Sequence, residues 1–279
     1  MRQYAIADAF TDRPLHGNPV AVFLDADGLS GEQMQRIARE MNLSETTFVL
    51  PPENGNDHRL RIFTPVNELA FAGHPMLGTV FVLGEQTGAE RMVIETAMGP
   101  VPIEFERDAD GRNVVARMLQ PVPAWQPYEH AEALLAALGV DESIVSVEEY
   151  RNGPRHVFVG LPDLAALDAV TPDLRAMGRL LDMSGICFAG GGARWSIRMF
   201  SPAYGVNEDA ATGSAAGPLA IHLARHGLVG WGERIEISQG VQIGRPSTMY
   251  ARISRRGERI ERVEVSGSAV VIGRGSLNV

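Results

Sequence analysis

Lysine is missing altogether: all 25 basic residues are arginine. That excludes an internal aldimine to pyridoxal phosphate, a Schiff-base aldolase and a P-loop lysine. Cysteine is nearly missing. The one thiol, Cys187, allows neither an internal disulfide nor two-thiol catalysis within a chain, and reads as a small buried residue. No apolar run reaches the roughly 20 residues of a membrane-spanning helix. Met1-Arg2-Gln3-Tyr4 leads straight into a strand-like segment with no signal-peptide pattern, so a cytoplasmic protein with no membrane partner is expected. No same-sign basic patch exists either. At a net charge of −9, Arg252, Arg255, Arg256, Arg259 and Arg262 alternate with Glu258, Glu261 and Glu264. The expectation is a solvated strand pair and no nucleic-acid partner. No G-x-G-x-x-G opens a helix, and Gly190-Gly191-Gly192 reads as a turn. The seven histidines fall in no metal-ligand spacing; His222 and His226 are expected to pack at the surface or at a helix end. What survives is an enzyme that works without metal or cofactor, or no enzyme.

A hydrophobic content of 45% over 279 residues supports a sizeable core in one large or two modest domains. The chain is organised around Phe200 to Pro218. Two carboxylates, Glu208 and Asp209, precede a Thr212-Gly213-Ser214 corner, and the run from Leu219 to Ala224 then reads as a buried helix. Acid groups beside a Gly-Ser corner at a helix start place proton chemistry next to an anion-binding backbone. A degenerate copy lies upstream. Arg61-Ile62-Phe63-Thr64-Pro65 parallels Arg198-Met199-Phe200-Ser201-Pro202, and Gly73-His74 parallels Gly213-Ser214. Asn152-Gly153-Pro154 echoes Gly17-Asn18-Pro19 at nearly the same interval before the shared Phe, which points to an internal duplication.

The local signals follow this plan. Ser30 and Gln33 form a capping box for a helix from Gly31 to about Met41. Pro75 suits the first position of a helix whose Met76–Leu83 stretch is apolar all round, and hence buried. Short strands precede and follow it. The proline-rich run from Gln120 to Pro127 marks the boundary between residues 1–120 and 121–279. Beyond it come a helix Ala131–Leu138 stopped by Gly139, a strand Val145–Glu149, a strand His156–Leu161, and a mostly helical stretch Asp163–Met183 broken at Pro172. The last strand, about residues 268–279, returns to the first half. The predicted fold is α+β: two pseudo-symmetric halves, each a curled β-sheet or barrel around a central buried helix, with the two Gly-polar corners facing one another over a single cleft.

Four motifs in order then resemble one family: Gly17-Asn18-Pro19-Val20-Ala21-Val22-Phe23, Asn42-Leu43-Ser44-Glu45-Thr46, Phe71-Ala72-Gly73-His74-Pro75 and Glu208-Asp209-Ala210-Ala211-Thr212-Gly213-Ser214-Ala215. The chain is similar nearly end to end to the phenazine-biosynthesis isomerases, which share the diaminopimelate-epimerase-like fold. The resemblance implies a homodimeric, cofactor-free isomerase. It would move a proton from C3 to C1 of a cyclic hydroxy amino acid carrying a carboxylate, within antibiotic biosynthesis. It implies Glu45 as catalytic acid/base, with substrate contacts at His74, Asp209, Ser214, Gly73 and Gly213.

Each of these residues also has a plain structural reading. Glu45 alone reads as a surface carboxylate at a strand start. Screened from water, its pKa would rise and suit proton transfer to and from carbon. Asp209 reads as a first-turn or capping acid, Ser214 as an N-cap, His74 as a core histidine, and the glycines as backbone geometry. Asn18 would fix its loop. Trp125, Trp195 and Trp231 read as core or interface. An amino-acid epimerase or racemase of this fold lacks its two thiols here, since the corners are His74 and Ser214. A non-catalytic small-acid-binding protein is the remaining alternative.

Overall fold

The computed structural model describes residues 1–180 and 182–279, without the side chain of Gln86. The first half contains β1 (Arg2–Ala9), β2 (Asn18–Phe23), α1 (Gly31–Met41), β3 (Glu45–Leu50), β4 (His58–Phe63), β5 (Glu68–Leu69), α2 (Gly73–Thr87), β6 (Arg91–Thr96), β7 (Gly99–Arg107) and β8 (Asn113–Gln120). Next come β9 (Ala124–Pro127) and α3 (Ala131–Leu138). The second half contains β10 (Glu148–Arg151), β11 (Arg155–Gly160), α4 (Leu164–Ala169), α5 (Leu174–Met177), β12 (Ser184–Gly191), β13 (Arg194–Ser201), β14 (Val206–Asp209), α6 (Gly213–Arg225), β15 (Arg234–Gln239), β16 (Ser247–Arg256) and β17 (Arg259–Gly267). The final strand is β18 (Ala269–Leu277).

Strand pairing repeats the same pattern in both halves. β2 pairs with β1 antiparallel and with β3 parallel; β3–β4 is antiparallel, β4–β6 parallel, and β6–β7–β8 antiparallel. The β10–β11, β11–β12, β12–β13, β13–β15 and β15–β16–β17 pairs follow in the same senses. β9, just past the boundary, pairs with β10, and β18, at the end of the second half, returns to pair with β1 of the first. The β8–β17 pairing joins the two curled sheets.

One central helix sits inside each curl. In α2, Met76, Leu77, Val80 and Val82 are fully buried, and all of α6 from Gly213 to Ala224 is buried. Such helices gain their stability from burial on every face. α1 has the expected bounds and capping box, with Gln33 N–H donating to Ser30 Oγ at 3.2 Å. Asn42 ends it in the left-handed conformation, φ 51°. α3 ends at Gly139 as expected. The arginine-rich segment is the β16–β17 pair, with Arg252 opposite Glu264.

Several expectations shift. α2 begins at Gly73, so Pro75 is its third residue; that N–H also has no intrahelical partner, which makes proline acceptable there. β10 begins at Glu148 rather than Val145, where its ladder with β9 begins. The stretch Asp163–Met183 contains only the short α4 and α5, each capped by an aspartate, either side of Pro172; position 181 lies outside the described residues. Of the two placements expected for His222, the helix end holds: it lies in the last turn of α6, fully buried, its ring stacked 5.4 Å from Phe158. Glu148, from a distant strand, joins His222 and His226 in one cluster, with ligand atoms within 4.8 Å of one another. Spacing along the chain could not show that. The Arg225 guanidinium is bound to the Glu148 carboxylate there, so a cation already occupies the cluster. Among the described residues no helix is long and apolar enough to cross a membrane.

α6 starts at the Gly-Ser corner, at Gly213, and runs without a break into the apolar stretch from Leu219, so it carries Pro218 inside it. Proline has no N–H to give the carbonyl four residues back, which is that of Ser214. Asn152 Nδ2 donates to the Ser214 carbonyl instead, at 2.9 Å. Asn152→Ala would leave that carbonyl buried and unpaired. A destabilisation of about 1–3 kcal/mol is expected, read as a lower midpoint in chemical denaturation.

Candidate active site

The α2 and α6 N-termini meet head to head between the two halves. A Cβ at Gly73 would lie 2.5 Å from Ser214 N, and one at Gly213 would lie 3.0 Å from His74 N. Only a missing side chain at both positions allows that approach. The N-cap residues are Ala72 and Thr212, and neither gives a side-chain capping bond. Buried N–H groups at both ends are thus left for a ligand. Two such ends also bring two partial positive charges together.

Six predicted residues converge on this point. Glu45, Gly73, His74, Asp209 and Ser214 line one cleft with Thr64, His156, Ser184, Ser201 and Thr212, and Gly213 abuts Gly73 beside it. No arginine is among the lining residues. An anion entering here would be held by backbone N–H groups and neutral side chains. The cleft is nearly shut, with an internal volume of about 30 Å³, roughly room for one water.

Glu45 is the first residue of β3, but its side chain is only 14% exposed and points inward. His74 Nε2 lies 3.0 Å from Glu45 Oε2, close but not aligned as a hydrogen bond. Burial, and then the charge of Asp209, push the Glu45 pKa well above the usual carboxylate range. Burial pushes His74 down to about 3, so this contact joins a carboxyl to a neutral imidazole rather than two ions. Asp209, at the end of β14, is also raised by burial, against hydrogen bonds from Thr212, Asn18 and Ser44 that favour its charged form. Thr212 Oγ1 donates to Asp209 Oδ2 at 2.7 Å. Asp209 is therefore not a capping acid. Its neighbour Glu208 is committed to Arg198, with two bonds of 2.9 Å.

Asn18 does more than fix its loop. Its buried Nδ2 lies 2.7 Å from Asp209 Oδ1, 3.0 Å from the Ala211 carbonyl and 3.2 Å from His74 Nδ1. Two acceptor oxygens fix the amide's orientation. His74 Nδ1 then has to accept, which puts its proton on Nε2, facing Glu45. Ser214 is the second residue of α6 rather than its cap, and its Oγ lies 3.1 Å from His156 Nε2. Sequence reasoning missed His156 as a site residue. The signal lay in the Asn152-Gly153-Pro154 echo two residues before it. Cys187 is buried in the second-half core and pushed up to about 12, away from the cleft.

Three imidazoles are held neutral by burial: His74 and His156 at about 3 and His222 at about 4. An unfolded histidine binds its proton near pH 6.5. Between about 6.5 and 3 the unfolded chain thus binds more protons, and the histidine contribution to stability is lost as pH falls through that window. Glu45 and Asp209, raised in the fold, act in the opposite sense. Denaturation midpoints should fall from pH 7 to pH 5, and fall more steeply in Glu45→Gln, which removes one opposing group.

A model of the phenazine biosynthesis-like protein family matches residues 7–275. The chain is 60% identical over 277 residues to the trans-2,3-dihydro-3-hydroxyanthranilate isomerase of Pseudomonas chlororaphis, covering 99% of both chains. It is 59% identical over 275 residues to the enzyme of that name from Pseudomonas aeruginosa, again covering 99% of both. Among solved structures, a PhzF-family phenazine biosynthesis protein from Bacillus anthracis superposes with a TM-score of 0.85 at 26% identity, covering 100% of this chain and 99% of that one. A probable proline racemase from Agrobacterium radiobacter shares the fold alone, with a TM-score of 0.69 at 11% identity, covering 100% of this chain and 93% of that one. With a family match over nearly its whole length, the chain belongs to the phenazine biosynthesis-like protein family.

Proposed function

We propose that the chain is a trans-2,3-dihydro-3-hydroxyanthranilate isomerase that uses no cofactor. The observation that carries this reading is the pair of uncapped, buried helix N-termini beside a carboxyl group of raised pKa. The full-length similarity to the two Pseudomonas isomerases supports the choice of substrate. The substrate carboxylate sits against the N–H groups at Gly73, His74, Gly213 and Ser214. Asp209 and His74 hold its amino and hydroxyl groups. Glu45, as carboxylate, takes the C3 proton. The C3–H electron pair shifts along the ring diene, negative charge builds toward the carboxylate on C1, and the helix N-termini stabilise that charge. Glu45 then returns the proton to C1. The enol left at C3 tautomerises to an amino ketone, and no atom is lost or gained.

A six-membered ring needs more room than the nearly shut cleft provides, so the halves, residues 1–120 and 121–279, part to admit it. The working form is a homodimer, as the family resemblance implies, located in the cytoplasm. Incubation with the substrate in deuterated water, followed by NMR, tests the assignment. The expected result is consumption of substrate with label arriving at C1. Unchanged substrate would overturn it.

A further inference from the structure

We propose that His156 is a positioning residue for Ser214: its imidazole donates from Nε2 to Ser214 Oγ, which turns the Ser214 hydroxyl proton into the cleft to meet the carboxylate of a cyclic amino acid. The inference rests on the proposed function for the identity of the ligand, but its geometry does not. His156 and Ser214 are both buried, and their side chains lie 3.1 Å apart. This is the one hydrogen bond of the Ser214 hydroxyl among the described residues. Ser214 is the second residue of α6, so the carbonyl four residues back, that of Ala210, lies outside the helix, where it accepts from Ser247 Oγ at 2.7 Å.

Two proton arrangements are open to the pair. In one, Ser214 donates to Nε2 and the imidazole proton sits on Nδ1. That atom is buried without a partner in either arrangement, and a stranded N–H is the rarer of the two orphans in folded proteins. In the other, Nε2–H donates to Ser214 Oγ. Nδ1 then keeps only a lone pair, and the unpaired proton is that of the Ser214 hydroxyl, which lines the cleft. The second arrangement places the unpaired donor where a ligand can reach it. Burial keeps His156 neutral, so it supplies one oriented proton rather than a charge.

The internal repeat explains the division of labour. Glu45 pairs with Val20 across β2–β3, and Thr46 pairs with Phe63. In the second half Ser184 pairs with His156 across β11–β12, and Gly185 pairs with Phe200. Phe63 and Phe200 are equivalent in sequence, so Ser184 stands where Glu45 stands. The first-half wall carries the carboxyl group for proton transfer. The second-half wall has a hydroxyl in its place, and beside it the histidine that aims Ser214.

The test uses 2-aminobenzoate, an unreactive planar amino carboxylate, in calorimetry, alongside steady-state kinetics. His156→Leu should weaken 2-aminobenzoate about tenfold or more and raise KM, while kcat falls less. His156→Gln, whose amide reproduces the Nε2 donor, should return within about threefold of the wild type. In a Ser214→Ala background, His156→Leu should add less than twofold. Unchanged affinity in His156→Leu, equal weakening in both backgrounds, or no rescue by Gln in a folded protein would each overturn the proposal. If the leucine variant does not fold, ¹⁵N NMR of the wild-type His156 ring decides: a protonated Nε2 with a bare Nδ1 supports it, and the reverse tautomer overturns it. An inactive wild type would defeat the proposed function, whereas the affinity pattern and tautomer still report on His156.

Discussion

Glu45→Gln should lose turnover by about 10²–10⁴-fold, the usual worth of a positioned acid/base group, while affinity for 2-aminobenzoate stays within about threefold. Glutamine keeps the size and polarity of the side chain, so the 3.0 Å contact with His74 has a neutral replacement. What it lacks is the carboxylate that can take a proton from carbon and give it back. No other side chain of the cleft combines a raised carboxyl pKa with freedom from bonding. Asp209 accepts from Asn18, Thr212 and Ser44 and is held in place. In the wild type, activity should fall on the acid side of the raised Glu45 pKa, because the protonated acid cannot take the C3 proton. Asp209→Asn removes the neighbouring charge that helps to raise Glu45, and should move that acid limb to lower pH. Near wild-type turnover in Glu45→Gln would remove Glu45 from the mechanism.

Gly73→Ala should be as damaging by another route. The new methyl would lie 2.5 Å from Ser214 N and closer still to the Gly213 carbonyl carbon. Backbone cannot turn aside as a side chain can, so the two helix ends must separate. Overpacking of a close-packed interior costs about 1–3 kcal/mol or more. The functional loss should be larger, because displacement of an anion-binding backbone by about 1 Å can cost on the order of 10²-fold in rate. Gly191→Ala is the control, since a Cβ there meets nothing within 4 Å. Melting temperature and kcat/KM together decide the matter. A Gly73→Ala protein with both values unchanged would show that the two ends are not locked together.

The duplication was legible because turn chemistry and strand ends are local. The Asn-Pro and Asn-Gly-Pro turns, the Phe-Thr-Pro and Phe-Ser-Pro strand ends and the Gly-polar corners each survive in the residues themselves. The buried helices were legible because an apolar stretch with no polar face has nowhere to go but the core. The corner at Gly213-Ser214 marked the start of α6 and the apolar run from Leu219 its later part, with Pro218, a residue that ordinarily breaks a helix, between them. Only the tertiary bond from Asn152 to the Ser214 carbonyl makes it tolerable. His222 was expected at the surface or at a helix end; it lies at the helix end, but its full burial was not legible. Its partners Glu148, Tyr150 and Phe158 come from other strands, and four-residue spacing carries no trace of them.

Taken alone, the sequence determined which chemistries were absent, the two-fold repeat, and the residues that resemble one family's site. A thiol pair within one chain, a lysine Schiff base and a lysine-held phosphate are excluded by composition, and no folding of the chain can restore them. The tertiary structure decided everything that depends on proximity: that two helix N-termini abut through Gly73 and Gly213, that Asn18 reaches across to Asp209, and that His156 stands behind Ser214. It also decided the protonation states. A carboxyl group or an imidazole leaves its ordinary pKa when neighbours from distant parts of the chain take its water away or set a charge or a hydrogen bond beside it, and that is a property of the packed cleft rather than of any residue in it.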